Sequence, residues 1–197
     1  MSTAADEPTA TGPSTAGDIA DALLSRAGRL DGTRLLCIDG PAGSGKTTLA
    51  GRVESELCSR GLGVDTLHMD DLYEGWSGLD TSLEQRLLDQ VLHPLARSAP
   101  GCWQRYDWYS GRFGEWSELL AGDVLVIEGC GSGATAYSDY RSLLVWLEAP
   151  QELRLRRGVD RDGPEVLPHW LAWMDLERAY FAVNSTKESA DIVLSSG

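Results

Sequence analysis

The stretch that decides the fold runs from Arg34 to Thr47 and reads RLLCIDGPAGSGKT. Its first part, Arg34 to Asp39, is an apolar run of strand length that stops at Gly40. From Lys46 to about Arg60 the apolar spacing lengthens to that of a helix, with Gly61 placed as its C-terminal stop. Between them, Gly40-Pro41-Ala42-Gly43-Ser44-Gly45-Lys46-Thr47 fits G-x-x-x-x-G-K-[ST], and strand, loop, helix is the context this pattern requires. Each residue type has a physical reason. The glycines let successive backbone N–H groups curl around phosphate oxygens, and the helix N-terminus adds its dipole. Lys46 supplies a charge that reaches the β and γ phosphates, and the Thr47 hydroxyl is suited to magnesium. Thr48, in the first helical turn, is a further candidate contact. Lys46 and Lys187 are the only lysines, so the match is not a by-product of lysine abundance. The expected cofactors are ATP and Mg²⁺.

Working outward, Asp18 to Leu30 has helical spacing behind Asp18 as a candidate cap. Val64 to Met69, Asp123 to Glu128, Ser142 to Glu148 and Ala190 to Leu194 read as further strands. Leu83 to Leu95, Pro150 to Arg157 and Pro164 to Val183 read as helices. Continuous apolar strands alternating with helices predict an α/β fold: a five-stranded parallel sheet covered on both faces. Ala99 to Trp116 is aromatic and glycine-rich without clear periodicity, and reads as a loop-rich insertion at one end of the sheet. Residues 1–17 are Ala, Ser, Thr, Pro and Gly-rich and read as a disordered tail, leaving 18–197 as one domain.

Bulk composition narrows the function. A net charge of −13 disfavours a nucleic-acid polymer as partner, because an acidic surface repels the phosphate backbone. Apolar runs are strand-sized, far short of the roughly 20 residues that span a bilayer, so no membrane segment is expected. The first residues lack a basic start followed by an apolar run, which argues against a secretory signal. Cys37, Cys58, Cys102 and Cys130 match no metal-ligand spacing and read as reduced structural thiols of a cytoplasmic protein. His68, His93 and His169 show no metal or relay spacing and are read as structural.

His68-Met69-Asp70-Asp71-Leu72-Tyr73 follows the second strand, so both carboxylates belong at the carboxyl edge of the sheet, where open α/β folds bind ligands. An Asp there could accept the proton of a hydroxyl that attacks a phosphate, or it could cap a turn. Arg154, Arg157 and Arg161 are spaced to share one helix face and could converge on a triphosphate. Trp103, Trp108, Trp116, Tyr106 and Tyr109 crowd one stretch, suiting either a planar ligand or a small satellite core. Trp170, Trp173 and Phe181 read as core.

Taken in order along the chain, these segments resemble the uridine kinase and phosphoribulokinase-like group of P-loop kinases, from about Arg34 to Leu194. The glycine loop resembles that family's phosphate loop, and Met69-Asp70-Asp71-Leu72-Tyr73 its acidic segment. The resemblance implies Asp70 as catalytic base, with Asp71 and Tyr73 on the acceptor side. Arg105-Tyr106-Asp107-Trp108, with Arg112, looks like the segment that meets the nucleoside, which implies Tyr106, Asp107 and Arg112 as acceptor contacts. Val126-Ile127-Glu128-Gly129 resembles the Walker B-like strand, implying Glu128 beside magnesium with Thr47. Arg154 through Arg161-Asp162 resembles the arginine-bearing lid, and Thr186-Lys187 with Ala190-Asp191 the last-strand segment. Leu72 in place of Phe, the short Gly75-Trp76-Ser77-Gly78 stretch and Gly131-Ser132-Gly133 depart from the pattern, all on the acceptor side. What the resemblance implies is a P-loop NTPase fold whose product is the phosphate ester of a small-molecule hydroxyl. The 5′-hydroxyl of a pyrimidine nucleoside is the leading expectation, with Lys46, Arg157 and Arg161 stabilising the transferred group. A nucleoside monophosphate kinase, a kinase with a non-nucleoside acceptor, or a nucleotide switch are the alternatives, and a homo-oligomer is compatible with all.

Overall fold

The computed structural model describes residues 15–197. Most of the expected tail lies outside the described residues, but its last residues are helical. Helix α1 spans Ala16–Leu24, capped by Thr15 rather than Asp18. Thr15 Oγ1 accepts from the Asp18 amide at 3.2 Å, and the Asp18 carboxylate accepts from the Thr15 amide at 3.1 Å. Asp18 thus closes a capping box from inside the first turn.

The strands are β1 (Arg34–Asp39), β2 (Val64–His68), β5 (Val124–Glu128), β6 (Leu143–Glu148) and β7 (Ile192–Ser195). They form a five-stranded sheet in the order β2-β5-β1-β6-β7, and every pairing is parallel. Because β1 is central, the chain leaves it toward β2 and β5 on one side and β6 and β7 on the other. That reversal opens a crevice at its carboxyl end. Alternation along β1 supplies both layers. Leu36 and Ile38 pack with Ile19, Leu23, Val53 and Leu57 of α1 and α2 (Lys46–Ser59). Leu35 and Cys37 pack on the opposite face with Leu83, Leu87, Tyr137 and Trp173. Each fully buried Leu or Ile of this kind contributes about 1.5–3 kcal/mol.

The stretch read as a loop-rich insertion is instead an antiparallel hairpin, β3 (Gly101–Asp107) and β4 (Arg112–Leu119), with a register shift between Gln104 and Tyr106. Its aromatic residues fall on both faces. Trp103 is buried, Tyr106 meets Trp108 and Phe113 edge-on, and Trp116 and Tyr109 are exposed, so no period of two shows in the sequence.

Asp80 caps α3 (Thr81–Leu87), which runs through a π-helical turn, Leu88–Leu92, into α4 (His93–Leu95). Helices α5 (Gln151–Asp162) and α6 (Leu167–Asn184) complete the layers.

Candidate active site

The glycine loop turns between β1 and α2 with Gly40, Gly43 and Gly45 at positive φ. Two of these glycines also have no room for a side chain. A Cβ on Gly40 would lie 2.0 Å from the Leu147 carbonyl oxygen, and one on Gly43 would lie 2.7 Å from that of Arg154. The loop is thereby seated on the end of β6 and on α5. A buried ion pair fixes its middle. Arg154 and Glu177 meet at 2.8 Å; Glu177 Oε2 accepts from the Ala42 amide at 2.8 Å, and Arg154 Nη1 donates to the Ala42 carbonyl at 3.1 Å.

Arg154 lies beneath the loop: its guanidinium is buried, with Nε and Nη1 committed to protein oxygens, and it is not among the residues that line the cavity. The face shared by the arginines is real but graded. Arg157 donates to the Gly43 carbonyl and to Ser196 Oγ, both at 3.3 Å, while Arg161 reaches the cleft, paired with Asp162 at 2.7 Å and set over the Trp170 ring.

At the loop's end, Lys46 Nζ donates to the Pro41 carbonyl at 3.0 Å and lies 3.7 Å from Cys130 Sγ. Burial alone would lower its pKa, but the Cys130 sulfur and the Asp39, Glu128 and Glu177 carboxylates outweigh that and hold the ammonium charged. Thr47 Oγ1 donates to Glu128 Oε1 at 3.0 Å. A hydroxyl and a carboxylate, both hard oxygens beside a phosphate loop, suit magnesium, which takes few protein ligands and fills its remaining positions with water and phosphate oxygens. The residues therefore fit a magnesium nucleotide: Thr47 and Glu128 would hold the metal, directly or through water. His68 Nδ1 also lies 2.6 Å from Glu128 Oε1, a contact that the structural reading of His68 did not anticipate.

Asp39, which sequence reasoning passed over as the last residue of a strand, is fully buried. Its carboxylate accepts from the amides of Gly40 at 2.6 Å, Gly131 at 3.0 Å and Gly133 at 2.8 Å, tying the phosphate loop to the loop after β5. Burial pushes its pKa up to about 6, against the pull of those amides and of Lys46. Because the folded value is raised, the stability Asp39 contributes is fully present below the unfolded value and is lost as pH rises to about 6. The stability of the native chain relative to Asp39→Asn should therefore fall between about pH 4 and pH 6, by on the order of 3 kcal/mol, and be level above about pH 7. Denaturant titrations of both proteins across that range read it directly.

These groups open into a cavity of about 600 Å³. Ala42, Gly43, Gly45, Lys46, Thr47 and Thr48 form one end, with Glu128, Arg157 and Arg161 beside them. Asp70 stands in the wall, open to the cleft yet surrounded in depth by protein, and burial, then the Glu128 charge, raises its pKa. Part of the lining is aromatic: Trp76, Trp108, Trp170 and Trp173 line the cavity with Tyr73, and Trp76 meets the other three indoles edge-on. Trp76 is noted in the sequence only within a departure from the family pattern, while Trp170 and Trp173 are buried core residues, as expected, that line the cavity as well. Gly40, Pro41 and Ser44 shape the loop from behind without lining the cavity.

On the acceptor side, the hairpin decides which residues reach the cavity. Asp71 is bound to Arg105 at 3.0 Å, outside the cavity lining. Asp107 accepts from the amides of Tyr109 and Ser110 and so builds its own turn, with Arg112 paired opposite it in register at the exposed tip. Tyr106 packs against Trp108 and Phe113 and also stays outside. Tyr73 does line the cavity, but its hydroxyl is committed to the Cys130 carbonyl at 2.7 Å. From this hairpin it is Trp108 that reaches the cleft, its indole N–H donating to the Asp70 carbonyl at 3.1 Å.

Comparison with known proteins agrees with this architecture. Residues 36–172 match a family described as an AAA domain. Among solved structures, a Bacillus stearothermophilus protein described as a "Possible Uridine Kinase" is 23% identical with a TM-score of 0.62, the alignment covering 89% of this chain and 95% of that one. D-glycerate 3-kinase from Cryptococcus neoformans is 14% identical with a TM-score of 0.61, covering 93% and 96%. At these identities the likeness concerns the fold. No curated protein matches the sequence.

Proposed function

The chain belongs to the AAA domain family, and from that premise we propose that it is an ATP- and Mg²⁺-dependent kinase that moves the γ-phosphoryl group to a hydroxyl of a small molecule. The observation that carries this reading is that Asp70 lines the same cavity as the phosphate-loop residues Lys46 and Thr47. A triphosphate site alone would serve a hydrolase or a switch. A carboxylate of raised pKa across from it supplies what a hydroxyl acceptor needs, a group to take its proton as the oxygen attacks.

The backbone amides of Gly43, Gly45, Lys46 and Thr47, which the loop's own hydrogen bonds leave uncommitted, orient the phosphates, while those of Gly40 and Ala42 are held by Asp39 and by the Arg154–Glu177 clamp. Lys46 leaves the Pro41 carbonyl for the β and γ oxygens. Magnesium, when bound, neutralises charge on those oxygens. Arg157 and Arg161 add positive charge at the cavity wall, where charge spreads over the transferring group. Asp70 orients the acceptor hydroxyl and accepts its proton. The aromatic residues of the lining hold the rest of the acceptor and exclude water that would otherwise be phosphorylated in its place.

For the acceptor itself we propose a pyrimidine nucleoside phosphorylated at its 5′-hydroxyl. Aromatic walls suit the faces of a planar base, and the segment containing Asp70 resembles that of uridine kinases. We also read residues 18–197 as one catalytic unit working in the cytoplasm, where ATP is abundant and thiols stay reduced. Release of ADP from Mg·ATP should rise with uridine or cytidine, and far less with D-glycerate or fructose. Stimulation by a polyol or a hydroxy acid instead would move the acceptor to that class, and stimulation only by nucleoside monophosphates would overturn the hydroxyl reading. Arg161→Ala should lower kcat roughly tenfold with little change in acceptor KM, because its partners gain charge only during transfer. A rise in acceptor KM alone would place Arg161 in the acceptor site.

A further inference from the structure

His68 ends β2 in register with Glu128 at the end of β5. Residues paired in this way on adjacent parallel strands present their side chains on the same face. The outcome is a contact of 2.6 Å between His68 Nδ1 and Glu128 Oε1. A carboxylate oxygen only accepts, so Nδ1 carries the proton and donates it. The same Oε1 takes the Thr47 hydroxyl at 3.0 Å, and among the described residues Oε2 accepts no hydrogen bond. Two donors on one oxygen fix the Glu128 rotamer and leave the other oxygen uncommitted beside the phosphate loop. The His68 side chain is 43% exposed and could turn to water, whereas that of Glu128 is 5% exposed and depends on protein donors in place of water.

We propose that His68 is a positioning residue that orients Glu128, through this hydrogen bond, for the magnesium ion that accompanies the nucleotide. The proposal rests on reading the loop as a magnesium–triphosphate site; it does not depend on what accepts the phosphoryl group. Partners that hold a metal-binding carboxylate in place govern metal affinity without touching the metal, and losing one typically costs about 10–100-fold. A histidine that merely fills the edge of the sheet would instead affect folding, or all ligands alike.

The test compares ATP binding by calorimetry in saturating Mg²⁺ and in a chelator without metal, for the full chain and for His68→Ala and His68→Asn. Mn²⁺ binding to the ATP complex, followed by electron paramagnetic resonance, is the second readout. His68→Ala should weaken ATP binding in Mg²⁺ and Mn²⁺ binding to the ATP complex by about tenfold or more, leaving metal-free ATP binding within about twofold. His68→Asn, whose amide can donate from the same side, should recover most of the loss. Equal loss with and without metal, no loss, or an Asn variant no better than Ala would each overturn the proposal. Should His68→Ala not fold, His68→Phe keeps the ring bulk without the donor and carries the same comparison. A protein with this metal dependence that phosphorylates no acceptor would refute the kinase reading alone; normal transfer without the metal dependence would refute only the role of His68.

Discussion

Asp70→Asn should lower the rate of phosphoryl transfer to a hydroxyl by about 10²–10⁴-fold, the usual contribution of a general base, while the affinity for Mg·ATP moves little. The substitution keeps the shape of the side chain and removes the acceptor of the proton. The position is well fixed: Asp70 sits in a single 3-10 turn, Met69–Asp71, behind the fully buried Met69. A Cβ on Gly129 would lie 2.6 Å from Met69 Cβ, so the loops after β2 and β5 are in direct contact there. The raised pKa has a visible consequence. The base works deprotonated, so the acid limb of the kcat/KM profile should lie above the ordinary Asp range near about 3.9 and should vanish in the Asn variant. Lys46 and Arg161 pull that limb back toward lower pH. Asp71→Asn should be milder, since Asp71 is occupied by Arg105. Full activity in Asp70→Asn and loss in Asp71→Asn would reverse the roles, and full activity in both would point to an acceptor that is already ionised.

Lys46→Ala should reduce turnover on the order of 10²–10³-fold and also weaken nucleotide binding, the scale expected when a positioned donor to developing charge is removed. The Lys46 ammonium donates to a carbonyl of its own loop and is held charged among buried carboxylates, so the charge is in place before phosphate arrives and only the hydrogen bond to Pro41 is exchanged. Removing it takes away the charge that spans the β and γ phosphates and leaves Asp39 and Glu128 without a counter-charge. Equilibrium binding of ATP and single-turnover rates separate the two effects. Turnover near that of the unaltered protein would contradict the reading of the loop as the phosphate site.

What could be read from the sequence follows the range of the interactions involved. The strand, glycine loop and helix from Arg34 to Ser59 are specified by neighbours in the chain, and the parallel sheet follows from apolar runs that need no partner to be recognised. Asp70, Thr47 and Glu128 meet because sheet topology delivers strand ends to one edge. Residues whose contacts depend on distant partners are the ones that the sequence does not reveal. Arg154 looks like any helix-face arginine until Glu177, 23 residues later, takes it beneath the loop. Asp39 gave no signal because its partners, Gly131 and Gly133, lie more than 90 residues away. Tyr106, Asp107 and Arg112 are expected in the site through the resemblance of their segment to one that meets a nucleoside; with β3 and β4 paired, none of the three lines the cavity and Trp108 does. A charge on the aromatic face of a helix, as Glu177 is, four residues after Trp173 and three before Tyr180, is the signal that could have found the clamp.

The most direct test of the central claim is to follow an isotopically labelled γ-phosphoryl group from ATP and identify the atom that receives it. The label should appear as a phosphate ester on a hydroxyl of the small-molecule acceptor, one equivalent for each ADP formed, and Asp70→Asn should suppress it. Label found only in inorganic phosphate, whatever acceptor is supplied, would contradict the claim and leave a nucleotide hydrolase or switch.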